Sequence, residues 1–456
     1  MRPGVGAGRV GRMEAPEPDV GHLARHGEAR PLREALEQLD VAAVVDELGR
    51  LDKEPRAFAF RLLGKDAALA VFEDLDPALQ RELLEGLREA TTRELLERMD
   101  PDDRAGLLEE VPAKVASRLL SGLSPRERAM TTQLLGYPPD SVGRRMTPEL
   151  VAVPESATVG QALDRARAAG SEVETIYALP VVGAGRQVVG VVSLRRLLVS
   201  DPDLPLTEVM SEPVVVPALE DQEQAALVVR DNGLVAVPVV DGEQRLLGLF
   251  TVDDAMRVLQ REEDEDIARS GATEPLRRPY LSVSVLGLVR ARVAWLLVLI
   301  VAATLTVNVL DYFEDTLEAV VALALFVPLL IGTGGNAGAQ AATTVVRAMA
   351  VGDVRLRDLP RVAGRELFTG LVLGVSLALV GIVPATVFAA WDIAVVLALA
   401  LVCVCVLATT AGAVVPMVAR RLGVDPAVVS APFITTFVDA GGLIIYFLIA
   451  RAVLGL

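Results

Sequence analysis

The sequence predicts a multidomain protein: an all-α superhelical N-terminal domain, an α/β tandem domain pair and an α-helical membrane domain of five transmembrane helices. Three observations predict it. Charge and apolarity are segregated: an Asp/Glu-rich, turn-broken half runs to about Pro279, and long Leu/Val/Ala runs fill Ala291 to Leu456. A helix-start punctuation recurs every 24 residues, at Asp52, Asp76, Asp100 and Ser124. A longer block that begins at Met146-Thr147-Pro148 returns at Met210-Ser211-Glu212-Pro213.

Residues 1–30 carry Gly4, Gly6, Gly8 and Gly11, but no strand precedes them and no Lys-Ser/Thr follows, so they read as a disordered lead-in rather than a phosphate loop. They lack the apolar core of a signal peptide, which predicts that the N-terminal half stays in the cytoplasm. Residues 31–143 have helical apolar spacing. Three of the four punctuating residues are followed by Pro; the cap side chain accepts orphan amide hydrogens and Pro has none to lose, so a stack of short helix pairs is expected. The plain reading of that segment is a purely structural helical domain.

The duplicated block divides into 144–203 and 204–261. Leu179-Pro180-Val181-Val182 returns as Val237-Pro238-Val239-Val240, and Gly190-Val191-Val192-Ser193 as Gly248-Leu249-Phe250-Thr251. Each copy runs strand, helix, strand, turn, strand, helix. The tandem resembles a pair of cystathionine-beta-synthase (CBS) domains, a module that commonly binds adenine nucleotides such as ATP, although many such pairs only dimerise. The resemblance places a nucleotide ribose at Thr251 and Asp254. The first copy has Ser193 but Arg196 at the matching position, so it implies at most one nucleotide site.

The last helix of the second copy runs on into an acidic stretch, assigned with its connector to 262–289. On a helix, Asp254, Glu262, Glu265 and Asp266 fall near one face, which is either a solvated surface or a site for hydrated divalent cations. The formal net charge of −16 points to cations and away from nucleic acid. Cys403 and Cys405 lie inside an apolar run and read as packing residues.

Five spans are expected in the pore domain 290–456, near 291–310, 317–349, 366–389, 392–419 and 430–453. Arginines precede the first span and fill the second-to-third and fourth-to-fifth connections, whereas Asp311, Glu314, Asp315 and Asp392 mark the others. The positive-inside rule then puts the N-terminus in the cytoplasm and the C-terminus outside. Asp439 lies deep in the fifth span with no basic residue at its depth. It reads as part of a cation pathway, the alternative being a protonated carboxyl satisfied by a neighbouring helix. Asn336, Gln340, Thr343 and Arg347 form a polar stripe in the second span, either helix-packing glue or a hydrated pore lining.

Three runs carry a wider resemblance: Pro328 to Gln340 (PLLIGTGGNAGAQ), Leu422-Gly423-Val424-Asp425-Pro426, and Val438-Asp439-Ala440-Gly441-Gly442-Leu443. With Asp100-Pro101-Asp102-Asp103-Arg104 and the domain order, they resemble the MgtE family of magnesium channels over nearly the whole chain. The resemblance implies a homodimer in the lipid bilayer of a bacterial inner membrane, with a pore between subunits. Asp439 would bind hydrated Mg²⁺ there beside Asn336 and Gln340. It also implies closure at high internal Mg²⁺, with regulatory ions at Asp102, Asp254, Glu262, Glu265 and Asp266.

Two positions depart from the family pattern. Arg257 stands where the family often has an acid, and Gly106 stands one turn after Asp102 where a second acid is common. Arg257 is expected to act as an internal counterion, which predicts fewer regulatory ions or a weaker set point. A proton-coupled divalent cation carrier is the main competing reading and a membrane-anchored nucleotide sensor another. An enzyme is disfavoured: no phosphate loop or nucleophile–base arrangement is visible, and the two His, His22 and His26, fall in the lead-in.

Overall fold

The computed structural model describes residues 19–456 apart from 171–172, 277–279, 281–282, 427–428 and 430. Residues 1–18, with the glycine-rich run, lie outside the described residues. The chain forms two compact units, one reaching Gln260 and the other starting at Arg261 and holding all five spans.

In the first unit, ten short helices between Val20 and Leu135 stack as the punctuation predicts. Asp52, Asp76, Asp100 and Ser124 are N-cap residues; Asp76 accepts from the Ala78 amide and Ser124 from that of Glu127, while Asp52 and Asp100 make no such bond. The helical domain starts earlier than residue 31. Helices Val20–His26 and Ala29–Leu36 bury Val20, Ala24 and Leu32 in its core, so the two His are helical. Asp19 caps the first of them and Gly27, in the left-handed region, ends it.

The 24-residue period has a second layer. Four residues after each punctuating residue comes a long polar side chain, Arg56, Gln80, Arg104 or Arg128. Each reaches back to carbonyls at the end of the preceding helix. Arg56 donates to the Leu48 (2.9 Å) and Leu51 oxygens, Gln80 to Phe72 (2.6 Å), Arg104 to Met99 (2.5 Å), and Arg128 to Leu120 and Leu123 (both 2.9 Å). Helix C-termini leave carbonyls without intrahelical partners, and here the next helix supplies the donors. Arg56 is 2% exposed and also pairs with Glu82 at 2.7 Å. Arg56→Met is therefore expected to cost about 3 kcal/mol, because buried carbonyls lose their donors and a buried ion pair is broken. A lower urea midpoint for the helical domain is the readout, and Lys at this position should not restore it.

The α/β pair contains two three-stranded sheets of the same order. The strands are β1 (Val153–Pro154), β2 (Ala178–Val182) and β3 (Val188–Ser193), then β4 (Val216–Pro217), β5 (Ala236–Val240) and β6 (Leu246–Thr251). In each, a parallel pair is followed by an antiparallel one, with matching bulges at Val181/Val182 and Val239/Val240.

The packing units are not the sequence copies 144–203 and 204–261. Thr147 exchanges both backbone hydrogen bonds with Leu249 on β6, and Ser211 does so with Val191 on β3. The segments Met146-Thr147-Pro148 and Met210-Ser211-Glu212-Pro213 thus each join the other copy's sheet. Met146 and Met210 occupy the space that a Cβ at Gly248 and at Gly190 would need, with sulfur 2.8 and 2.5 Å from the built Cβ. Val142 and Met146 share a core with Phe250, while Leu206 and Val209 share one with Leu179. Ala105 and Leu134 of the helical domain enter the core with Phe250, docking that domain on the second α/β half.

Among the described residues, the second unit contains five apolar helices long enough to cross a membrane: Val285–Tyr312, Val321–Ala350, Leu356–Phe388, Trp391–Arg421 and Ala431–Leu454. The expected long second span is broken. Helix Glu314–Ala319 and a 3₁₀ stretch Val321–Phe326 precede the regular helix Val327–Ala350, which has Pro328 in its first turn. Tyr446 Oη donates to the Leu323 carbonyl at 2.9 Å, tying that stretch to the fifth span.

Candidate functional site

Two groups of carboxylates stand out, one in each unit. In the first unit, helix Pro101–Glu110 carries Asp102 and Asp103 in its first turn with Asp100 as N-cap, and helix Val252–Ser270 starts with Asp253 and Asp254. Helix N-termini favour negative charge by roughly 0.3–1 kcal/mol per group, which offsets part of the repulsion where two such ends meet. Together with Glu73, Asp74, Glu174 and Arg257 they line a cavity of about 230 Å³. Six waters at about 30 Å³ each occupy roughly 180 Å³, so a fully hydrated small cation fits such a space.

Carboxylate oxygens within 4.8 Å of one another form three sets: Glu73, Asp100 and Asp103; Asp102, Asp103 and Asp254; Glu174, Asp253 and Asp254. Asp102 is 5% exposed, and its Oδ1 has no hydrogen-bond partner among the described residues; neither has Glu174 Oε2. Oxygen donors in excess of protein hydrogen-bond donors suit a hard divalent cation such as Mg²⁺, which keeps several of its waters.

Burial, then the charges of Asp100 and Asp103, pushes the Glu73 carboxyl up to about 8. Burial, then Asp254 and Asp100, does the same to Glu174, also to about 8. Asp102 and Asp254 are raised chiefly by burial. The folded state thus holds protons that the unfolded chain releases above the ordinary carboxylate range near 4.5. Without divalent cation, stability should fall as pH rises from about 4.5 through 8, by about 3 kcal/mol between pH 6 and pH 9 after discounting for partial exposure. Mg²⁺ should remove most of that loss, so the Mg²⁺-induced rise in Tm is expected to be larger at pH 9 than at pH 6. Equal rises at both would contradict the assignment.

Of the sequence-predicted residues, Asp102 and Asp254 are brought together here. The Thr251 hydroxyl donates to Asp254 Oδ2 at 2.7 Å, and both residues are buried. Glu262, Glu265 and Asp266 belong to the second unit. There Arg269 pairs with Glu265 and with Asp425, in the connection before the fifth span, and burial followed by the charge of Asp425 raises the Asp266 carboxyl. Sequence reasoning missed Glu73, Asp74, Asp100, Asp103, Glu174 and Asp253 as cavity residues. Asp100 and Asp103 adjoin Asp102 and were open to inspection. Glu174 enters through a loop whose position depends on the exchanged α/β packing, and no local signal marks it.

In the membrane unit, Asp439 Oδ1 is buried without a hydrogen-bond partner among the described residues. Glycine makes room for it. A Cβ at Gly335 would lie 2.6 Å from the Thr435 methyl and 3.6 Å from Asp439 Oδ1; one at Gly334 would meet Val404 and Val438, and one at Gly338 would meet Ile434. The Thr435 and Thr436 hydroxyls donate back to the Ala431 and Pro432 carbonyls of their own helix. Asn336 and Gln340 are exposed on the single chain, next to and just beyond Gly335 on the second span.

Comparison with known proteins gives matches over most of the chain. One family model, described as divalent cation transporter, covers residues 327–449; the MgtE intracellular N domain covers 39–140, and the CBS domain covers 141–202 and 206–261. The magnesium transporter MgtE of Thermus thermophilus is 41% identical over 443 residues, 94% of this chain and 96% of its own. That of Bacillus subtilis is 31% identical over 444 residues, 94% and 95% of the two chains. Among solved structures, the cytosolic domain of the Mg²⁺ channel MgtE in complex with ATP is 38% identical and covers 53% of this chain and 98% of that one, at a TM-score of 0.49. With a relative of that identity along nearly its full length, and family models on all three domains, this multi-pass membrane protein belongs to the MgtE family.

Proposed function

We propose that the chain is a transporter rather than an enzyme: a Mg²⁺ channel that moves the ion across a bacterial inner membrane into the cytoplasm. The observation that carries this is Asp439, a carboxylate in the fifth span with a buried oxygen that has no hydrogen-bond partner among the described residues, beside the glycine-lined second span. A charge at that depth is costly unless it meets water or a cation. Asn336 and Gln340, exposed on the single chain, would face the same path once a second copy closes it, so the working unit is a homodimer. The arginine-rich connections support a cytoplasmic N-terminus and a C-terminus outside.

The cavity of Asp102 and Asp254 is the feedback sensor in this reading. Mg²⁺ there neutralises the facing acids, and Glu262, Glu265 and Asp266 on the linking helix answer to the same ion. An adenine nucleotide such as ATP at the CBS pair is a second effector; with its ribose at Thr251 and Asp254, it should interfere with cation binding, because Asp254 also lines the cavity.

The test is Mg²⁺ entry into proteoliposomes driven by the Mg²⁺ gradient and membrane potential, with pH equal on both sides. A channel conducts under these conditions. Flux that appears only with an imposed pH gradient would establish the proton-coupled carrier instead.

A further inference from the structure

The acidic cavity already contains a cation of its own. Arg257, one turn into helix Val252–Ser270, sends its guanidinium inward: Nη2 donates to Asp74 at 3.0 Å, and Nη1 to Asp103 at 3.4 Å and to Asp254 at 3.2 Å. Burial works against that charge, but Asp103, Asp254 and Asp74 outweigh it, so the guanidinium stays ionised. One fixed positive charge therefore joins carboxylates of the helical domain to one of the second α/β half. The rest of the cavity is differently provided. Asp102 presents a buried Oδ1 and Glu174 an Oε2, each without a hydrogen-bond partner among the described residues, and Glu174, Asp253 and Asp254 have oxygens within 4.8 Å of one another.

We infer that Arg257 is a tethered cation holding one of two positions in this cavity, and that Glu174, Asp253, Asp254 and Asp102 Oδ1 form the other, which takes one hydrated divalent cation. The inference rests on the sensor reading above and deepens it. A tethered charge cannot leave when internal Mg²⁺ falls, so the helical domain stays attached to the α/β pair in Mg²⁺-free conditions. Fewer ions then remain to respond, and closure follows Mg²⁺ concentration with a shallower slope than a site filled by ions alone.

The experiment uses the full chain in lipid nanodiscs, with Mg²⁺ itself as the probe. Equilibrium dialysis counts bound Mg²⁺ per chain, and hydrogen exchange follows the amides around Asp102 and Asp103. Arg257→Asp is expected to bind one more Mg²⁺ than wild type, and Glu174→Gln one fewer. Without Mg²⁺, exchange at those amides should be at least about tenfold faster in Arg257→Asp and in the neutral Arg257→Gln than in wild type. Mg²⁺ should reverse this in Arg257→Asp, and Arg257→Lys should stay near wild type. Unchanged stoichiometry and unchanged Mg²⁺-free protection in both Arg257→Asp and Arg257→Gln would overturn the tethered-cation inference alone. Absence of any saturable, Glu174-dependent Mg²⁺ binding in wild type would overturn the sensor reading beneath it.

Discussion

Asp439→Ala is expected to lower Mg²⁺ flux into proteoliposomes by about two orders of magnitude or more at matched reconstitution, with little change in thermal stability. The carboxylate supplies a charge where the surrounding bilayer offers none, and removing it restores the barrier against a divalent ion. Stability should change little, because among the described residues the buried oxygen has no hydrogen bond to lose. Asp439→Asn separates charge from shape: it keeps the side-chain volume and should still lose most of the flux. Substantial flux in both variants would make Asp439 structural and move the ion path to Asn336 and Gln340.

The second large effect is expected at Gly335. Adding only a methyl group, Gly335→Ala places its Cβ 2.6 Å from the Thr435 methyl carbon, well inside contact distance, so the second and fifth spans must separate. Close-packed interiors transmit such a displacement rather than absorb it, and Asp439 lies one turn along the same helix face. Flux should fall at least about tenfold, in line with the sensitivity of ion sites to misplacement on the ångström scale. The cause is removable. Thr435→Ser keeps the hydroxyl bond to Ala431 but deletes the clashing carbon, leaving the nearest remaining neighbour of the new Cβ at 3.6 Å. The double variant should therefore recover most of the flux. Failure to recover would mean that Gly335 acts through its backbone conformation rather than through packing.

Much of this architecture was open to reading because it is written in local chemistry. Pro beside a capping residue fixes where a helix begins, and helices starting at Pro77, Pro101 and Pro125 follow it. The helix over 20–26 escaped because its capping Asp19 lies off the 24-residue period and is not followed by Pro, and the helix over 29–36 because it has no side-chain cap. The first span begins at Val285 rather than 291 because Arg290 and Arg292 continue the helix past the apolar stretch, as long basic side chains can at a membrane boundary. The acidic cavity was only half legible: Asp102 and Asp254 stand out in the sequence, but Glu174 and Glu73 join them through pairing between segments far apart in sequence. Arg257 was recognisable as a lone positive charge among acids, whereas its three simultaneous partners required the fold.

The back-reaching side chains of the helical repeat give that domain a direction. Four helix ends are completed by a residue from the helix that follows, at Arg56, Gln80, Arg104 and Arg128 alike, and one contact runs the other way, from Arg81 to the Glu110 carbonyl. Shortening the stack from its leading end leaves the repeated back-reaching bonds of the remaining helices intact, with only the Glu110 carbonyl losing a donor when Arg81 goes; shortening it from the trailing end strips the donor from the last helix kept. Unravelling should therefore start more readily from the trailing side, where the stack is held by its docking on the α/β pair. A protein emerging from the ribosome meets the same asymmetry, since no unit is finished until its successor has been made.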